Sequence, residues 1–133
     1  GSLTKRGEAD RPIEIEMTTV DDYCAAQSIS RVDLMKVDVE GAELLVFRGA
    51  ERLLSSKEAP IIMFETDEVL TARFGSSSAL IKTLLQQYGF EFYRYTGDRL
   101  EPVAVNELHR KQEDLFALKP FQIERHQLLQ RLC

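Results

Sequence analysis

The residues able to do chemistry crowd into positions 36–43, as Lys36, Asp38, Glu40 and Glu43, and Glu65 follows at the end of the next apolar run. Asp38 closes a run of strand-like composition and opens a helical pattern. As an N-cap it would accept a hydrogen bond from the Val39–Gly41 region, worth about 1 kcal/mol. As a functional group it would present its carboxylate at the mouth of a strand, alone or as a metal ligand, and the two roles are compatible. Lys36 lies two residues earlier on the same strand face, about 6.6 Å away along the chain. It could hold Asp38 ionised, orient a substrate oxygen, or form a structural ion pair. Glu40 and Glu43 fall in the first turn of the expected helix, where the macrodipole stabilises carboxylates. Their charge disfavours a phosphate there and so weighs against a mononucleotide site. Glu65 ends an otherwise apolar strand. Its carboxylate is therefore at the sheet's mouth or costly to bury, and a buried carboxylate with a raised pKa suits a general base. Asp38 and Glu65 on adjacent strands could instead share a divalent cation.

The elements that must position these groups are legible around them. Val32 to Asp38 is β-branched and apolar, as a strand requires. Ala42, Leu45, Val46, Gly49, Ala50, Leu53 and Leu54 recur at helical steps. Pro60 then opens Ile61-Ile62-Met63-Phe64, apolar on both faces, as in a strand covered from both sides. Strand, helix and strand make a βαβ unit with a right-handed crossover, and open α/β sheets gather ligands beyond the carboxyl ends of their strands. Upstream, Ile13-Glu14-Ile15-Glu16-Met17 alternates like a half-exposed strand, and Thr18 or Thr19 should cap a helix over 20–27. Downstream the expectations are a helical turn near 69–73, a helix over 77–88 stopped by Gly89, and a strand over 90–95. A hairpin partner near 100–103, a last strand over 115–118 and a terminal helix from Pro120, apolar through Phe121, Leu128, Leu129 and Leu132, complete the chain.

Composition sets outer limits. The chain has 133 residues, 44% hydrophobic and 29% charged, which is one domain's worth of ordinary globular sequence. A net charge of −5 disfavours nucleic acid or an anionic membrane as partner. No apolar run approaches the roughly 20 residues of a membrane span, and no secretory signal pattern opens the chain. Cys24 and Cys133 form no metal or disulfide motif, so a reducing, cytoplasmic setting is the default. His109 and His126 have no second ligand at metal spacing and read as surface histidines. The aromatics Tyr88, Phe90, Phe92, Tyr93 and Tyr95 lack the interleaved basic residues of a nucleic-acid platform and read as core and sheet face.

The block Val32-Asp33-Leu34-Met35-Lys36-Val37-Asp38-Val39-Glu40-Gly41-Ala42-Glu43, followed by Arg48-Gly49-Ala50 and by Pro60 through Glu65, resembles the FkbM family of S-adenosylmethionine-dependent methyltransferases. Met17 to Tyr23, Tyr88-Gly89-Phe90 and Asp114 to Leu118 are similar to its flanking segments. The resemblance runs over roughly residues 13–119. It implies an α/β fold, a partial class I methyltransferase (Rossmann-like) sheet of mostly parallel strands with a final antiparallel strand. It also implies O-methylation of a hydroxyl on a sugar or secondary metabolite. Asp38 and Glu65 would be catalytic, and Lys36 and Glu40 would face substrate or cofactor. S-adenosylmethionine would be the cofactor, with a divalent metal the lesser alternative.

Such sheets hold S-adenosylmethionine on a glycine-rich turn, because backbone can approach a ligand closely only where side chains are absent. No two of the seven glycines here are spaced Gly-x-Gly. The resemblance is therefore to the acceptor-side, C-terminal half over residues 13–133, preceded by a linker or tag remnant over 1–12, and tight cofactor binding by this half alone is not expected. The strand at 32–38 would be left with an open edge that invites self-association unless residues 13–17 cover it. The alternative to a methyltransferase is a non-catalytic, partner-binding or self-associating domain derived from one. A receiver-like or nucleotide-binding domain is disfavoured by the missing glycine loop.

Overall fold

The computed structural model describes residues 12–126. The expected linker or tag remnant falls almost wholly outside them, as do Leu128, Leu129, Leu132 and Cys133 of the terminal segment. In chain order the elements are α1 (Val20–Ala26), β1 (Leu34–Val37), α2 (Glu43–Arg48), α3 (Glu51–Ser55), β2 (Ile61–Thr66) and α4 (Glu68–Ala72). They continue as α5 (Ser78–Gln87), β3 (Glu91–Tyr95), β4 (Leu100–Val103), β5 (Glu113–Leu118) and α6 (Pro120–His126). The five strands form one sheet in the order β1-β2-β5-β3-β4.

Only β1 and β2 pair in parallel; β2–β5, β5–β3 and β3–β4 are all antiparallel. The expectation of mostly parallel strands is thus corrected. Its physical source is β5, which inserts against the direction of both β2 and β3. These two, with β1, point the same way but never touch across the insertion. The expected final antiparallel strand is β5 itself.

Register divides the side chains between two faces. Met35, Val37, Ile62, Phe64, Leu115, Ala117, Phe92 and Val103 share the face covered by α2 and α5. There Phe47 meets Phe64 edge-on at 5.6 Å, and Phe64 meets Phe92 at 6.3 Å. Burying side chains of this size contributes about 1.5–3 kcal/mol each. The opposite face carries Leu34, Lys36, Ile61, Met63, Phe116, Tyr93 and Leu118. Among the described residues it is only partly covered, by Ile123 of α6, and Leu34 is 63% exposed.

Several local expectations hold. Thr19 caps α1 by accepting the Asp22 N–H at 3.0 Å, Ser77 caps α5 by accepting the Leu80 N–H at 3.2 Å, and Gly89 turns at φ 103°. The single helix expected over 42–54 breaks at Gly49 and Ala50 into α2 and α3. A Cβ at Gly49 would lie 3.0 Å from that of Thr19, so α1 packs where a side chain would stand. Residues 13–17 form no strand: they are exposed and irregular, with no strand beside them among the described residues. Alternation alone does not make a strand when no edge is at hand to supply hydrogen bonds.

Candidate active site

Both carboxylates reach the same rim. Val37 pairs with Phe64, so the next residues, Asp38 and Glu65, leave β1 and β2 side by side at their carboxyl ends. Glu65 is 8% exposed, and Asp38 stands beside it as a second carboxylate. From the other side, antiparallel register sets Asp114 of β5 directly opposite Glu65. Gln112, two residues earlier on the same face, stabilises the charged form of Glu65. Burial raises the Glu65 carboxyl above its ordinary value, Asp38 and Asp114 push it further up, and Gln112 opposes them.

Asp38 is not a helix cap. The chain turns at Glu40 (φ 52°) and Gly41 (φ 107°) before α2 begins at Glu43, with Ala42 at the cap position and no side-chain bond there. Glu40 therefore lies outside the helix it was expected to begin, exposed at the rim in a left-handed conformation that costs a non-glycine residue roughly 1–2 kcal/mol. Strained residues of this kind gather at functional sites. Gly41 is required by packing, since a Cβ on it would meet the Leu70 carbonyl oxygen at 2.2 Å. Lys36 is exposed on the face that leads to Asp38, and it makes no ion pair among the described residues.

Glu43 departs from the simple dipole reading. It is 2% exposed, and its Oε2 accepts the Gly41 N–H at 2.9 Å, which ties the turn to the helix. Burial raises its carboxyl, the Gly41 bond lowers it, and Glu65 and Asp38 raise it again. The rim thus concentrates negative charge on groups from three elements: Asp38 after β1, Glu65 on β2 and Glu43 on α2. Sequence reasoning missed Gln112 and Asp114 because pairing between segments so far apart cannot be read from spacing.

Behind the rim lies a second polar cluster, on the helix-covered face. His109 is buried, which corrects its assignment to the surface. Its Nδ1 lies 2.6 Å from Glu113 Oε1, and its Nε2 lies 2.8 Å from Lys82 Nζ. Lys82 is fully buried and also donates to the carbonyls of Ala104 (3.0 Å) and Glu107 (2.9 Å), so all three ammonium hydrogens have acceptors. Burial draws its pKa down. Arg94 bonds Glu113 at 3.0 Å and also pairs with Glu107, and it holds both carboxyls below the usual range. Glu68 accepts the His109 N–H at 2.8 Å and the Ser78 hydroxyl at 2.6 Å.

Ligand atoms of Glu107, His109 and Glu113 lie within 4.8 Å of one another, as a metal site would need. Both ring nitrogens are already engaged, and Arg94 supplies the counter-charge to both carboxylates. The cluster instead anchors residues 104–113, and with them the approach of Gln112 to Glu65. Lys82 could have been noticed, because with Ser78, Ile81 and Leu85 it completes the buried stripe of α5.

Fold and rim together define an α/β domain with its candidate site beyond the carboxyl ends of two parallel strands. A family model for the FkbM methyltransferase domain matches residues 1–92 of the 133. The chain belongs to the FkbM methyltransferase family. The matched stretch contains Lys36, Asp38, Glu40, Glu43 and Glu65; Gln112 and Asp114 lie beyond it. No curated protein and no solved structure gives a match. No helix among the described residues is long and apolar enough to cross a membrane.

Proposed function

We propose that the chain is the acceptor-side half of an S-adenosylmethionine-dependent O-methyltransferase, acting on a hydroxyl of a sugar or secondary metabolite, with Glu65 as general base. The observation that carries this is the meeting of Asp38 and Glu65 on one rim, with the Glu65 carboxyl raised by burial and by its neighbour. A base is most effective when its pKa approaches the working pH. Glu65 takes the proton of the acceptor hydroxyl, and Asp38 accepts a hydrogen bond from the acceptor. Lys36 and Glu40 border the same rim and orient the acceptor and the cofactor's polar groups.

The fit to the cofactor is one-sided. When bound, S-adenosylmethionine supplies an electrophilic methyl group on a sulfonium cation. Asp38, Glu65 and Glu43 suit that positive charge. The nucleoside end finds no cradle here: Gly41 is filled by the Leu70 backbone, and no Gly-x-Gly turn occurs in the sequence. We assign the cradle to residues outside this chain's described part, and most of the rate to positioning, which is worth more than base help. A calorimetric titration of this chain with S-adenosylmethionine should show no tight binding; micromolar affinity would overturn that assignment. In the complete domain, Glu65→Gln should lower kcat by about two orders of magnitude with little change in cofactor KM. An undiminished kcat would remove Glu65 as base, and loss of turnover on chelation would favour the shared-cation alternative.

A further inference from the structure

The end of the sheet opposite the rim carries the opposite charge. Strand β5 runs antiparallel to β2, so Lys119, one residue past its carboxyl end, emerges beside the start of β2 and away from Glu65. Lys119 is only 7% exposed. Its ammonium stands 4.9 Å over the Phe90 ring and donates to the Ser56 carbonyl at 3.0 Å. An ammonium has three hydrogens, and among the described residues no second acceptor takes one. Burial draws the Lys119 pKa down, and no carboxylate offsets it. A buried charge without a counter-ion is costly.

The same lysine lines a cavity of about 740 Å³ between the end of α3 and the start of α6. Lys57 and Arg125, both exposed, line it too, against a single carboxylate, Glu58. Arg125 is held at the wall by stacking 5.2 Å over the Phe121 ring. Three cations against one carboxylate leave an excess of two positive charges, in a chain whose net charge is −5. The residues that follow α6, Gln127 to Cys133, include no aspartate or glutamate, so their side chains bring no counter-charge. Gly89 keeps the wall bare beside the lysine, since a Cβ there would stand 3.8 Å from Lys119 Cε.

We propose that this cavity binds a phosphate dianion, as inorganic phosphate or as the phosphomonoester group of a larger molecule, with Lys119 as the buried contact and Lys57 and Arg125 reaching it from the surface. A doubly charged group matches the excess of two, where a carboxylate matches only one. A cavity of this size accommodates an organic body as well, and Pro120 and Phe121 offer it apolar wall. The proposal concerns the far end of the sheet and does not depend on the assignment of Glu65.

Isothermal titration calorimetry of the full chain with inorganic phosphate and with phenyl phosphate, at fixed ionic strength, tests it. Wild type should bind, and Lys119→Met should lose binding. Lys57→Ala and Arg125→Ala should each weaken it about 2–5-fold, the loss of one exposed charge pair. Glu58→Gln removes the opposing carboxylate and should tighten it by a similar factor. Arg99→Ala, in the turn at the other end of β3, should change nothing. Tighter binding of the ester assigns the site to phosphomonoesters, and equal affinity assigns it to free phosphate. Wild type that binds neither would overturn the proposal, as would affinity unchanged by Lys119→Met. Should Lys119→Met not fold, the Lys57→Ala/Arg125→Ala double variant decides, because both side chains are exposed; undiminished binding there would equally overturn the proposal.

Discussion

Replacing Glu65 by glutamine should make the protein more stable while making it less active. Two neighbouring carboxylates repel, by more as water is excluded from between them. Asp38 is exposed and Glu65 is buried, so their repulsion is only partly screened. Burial of the Glu65 charge adds to the cost, and Gln112 opposes it. An amide of the same shape carries no charge, keeps an oxygen for Gln112 and can donate to Asp38. The net expectation is a gain of about 1–2 kcal/mol, or roughly 3–8 °C in Tm for a domain of this size. The sign with pH follows from linkage. A carboxyl raised on folding contributes stability that is complete below its unfolded value, about 4.3, and lost as pH rises through its folded value. The advantage of the Glu65→Gln variant should therefore grow with pH and vanish in mild acid. Urea unfolding of both proteins at several pH values measures it. A variant less stable than wild type at neutral pH, or a difference flat in pH, would refute the reasoning.

Other perturbations probe what holds the rim. Lys82→Met leaves two carbonyls and the His109 ring nitrogen without their donor, so stability should fall by about 3–5 kcal/mol. Amide exchange should quicken over 104–112 more than over β1, and uniform quickening would contradict an anchoring role. Gly41→Ala combines a disallowed φ with a 2.2 Å clash on backbone, and should cost at least about 2 kcal/mol in urea unfolding. A neutral effect would mean that the turn is not as described. Glu68, Glu107 and Glu113 have lowered pKa values, so their contribution is present above the unfolded value and lost as pH falls through the folded ones. Glu43 and Glu65 act in the opposite sense. Tm should thus peak on the acid side of neutrality and drop steeply below about pH 4, whereas a monotonic rise toward alkali would exclude the two raised carboxyls.

The parts of the fold written in local sequence were legible, and those set by long-range pairing were not. Strand β4 falls on residues 100–103 as anticipated, and α5 lies one residue inside each expected bound, because Ser77, the apolar stripe and Gly89 are local signals. The insertion of β5 was expected from resemblance, yet its effect on strand pairing was underestimated. The meeting of Asp38 and Glu65 followed from the βαβ pattern, since a parallel crossover places consecutive strand ends on one rim. Asp114 and Gln112 joined it through a register that no nearby residue announces. His109 was misjudged for a related reason. Its polarity suggested solvent, but Lys82, Glu113 and Glu68, brought in from three separate segments, satisfy it inside the protein. Ile13 to Met17 had a strand's pattern without a strand's partner.

At the rim, burial and the neighbouring Asp38 raise the Glu65 carboxyl. Carboxyl-carbon NMR titration of labelled protein observes it directly. Glu65 should titrate above an ordinary glutamate in wild type and move downward in Asp38→Asn, where the neighbouring charge is gone. A Glu65 signal that titrates like a free glutamate, and does not respond to Asp38→Asn, would contradict it.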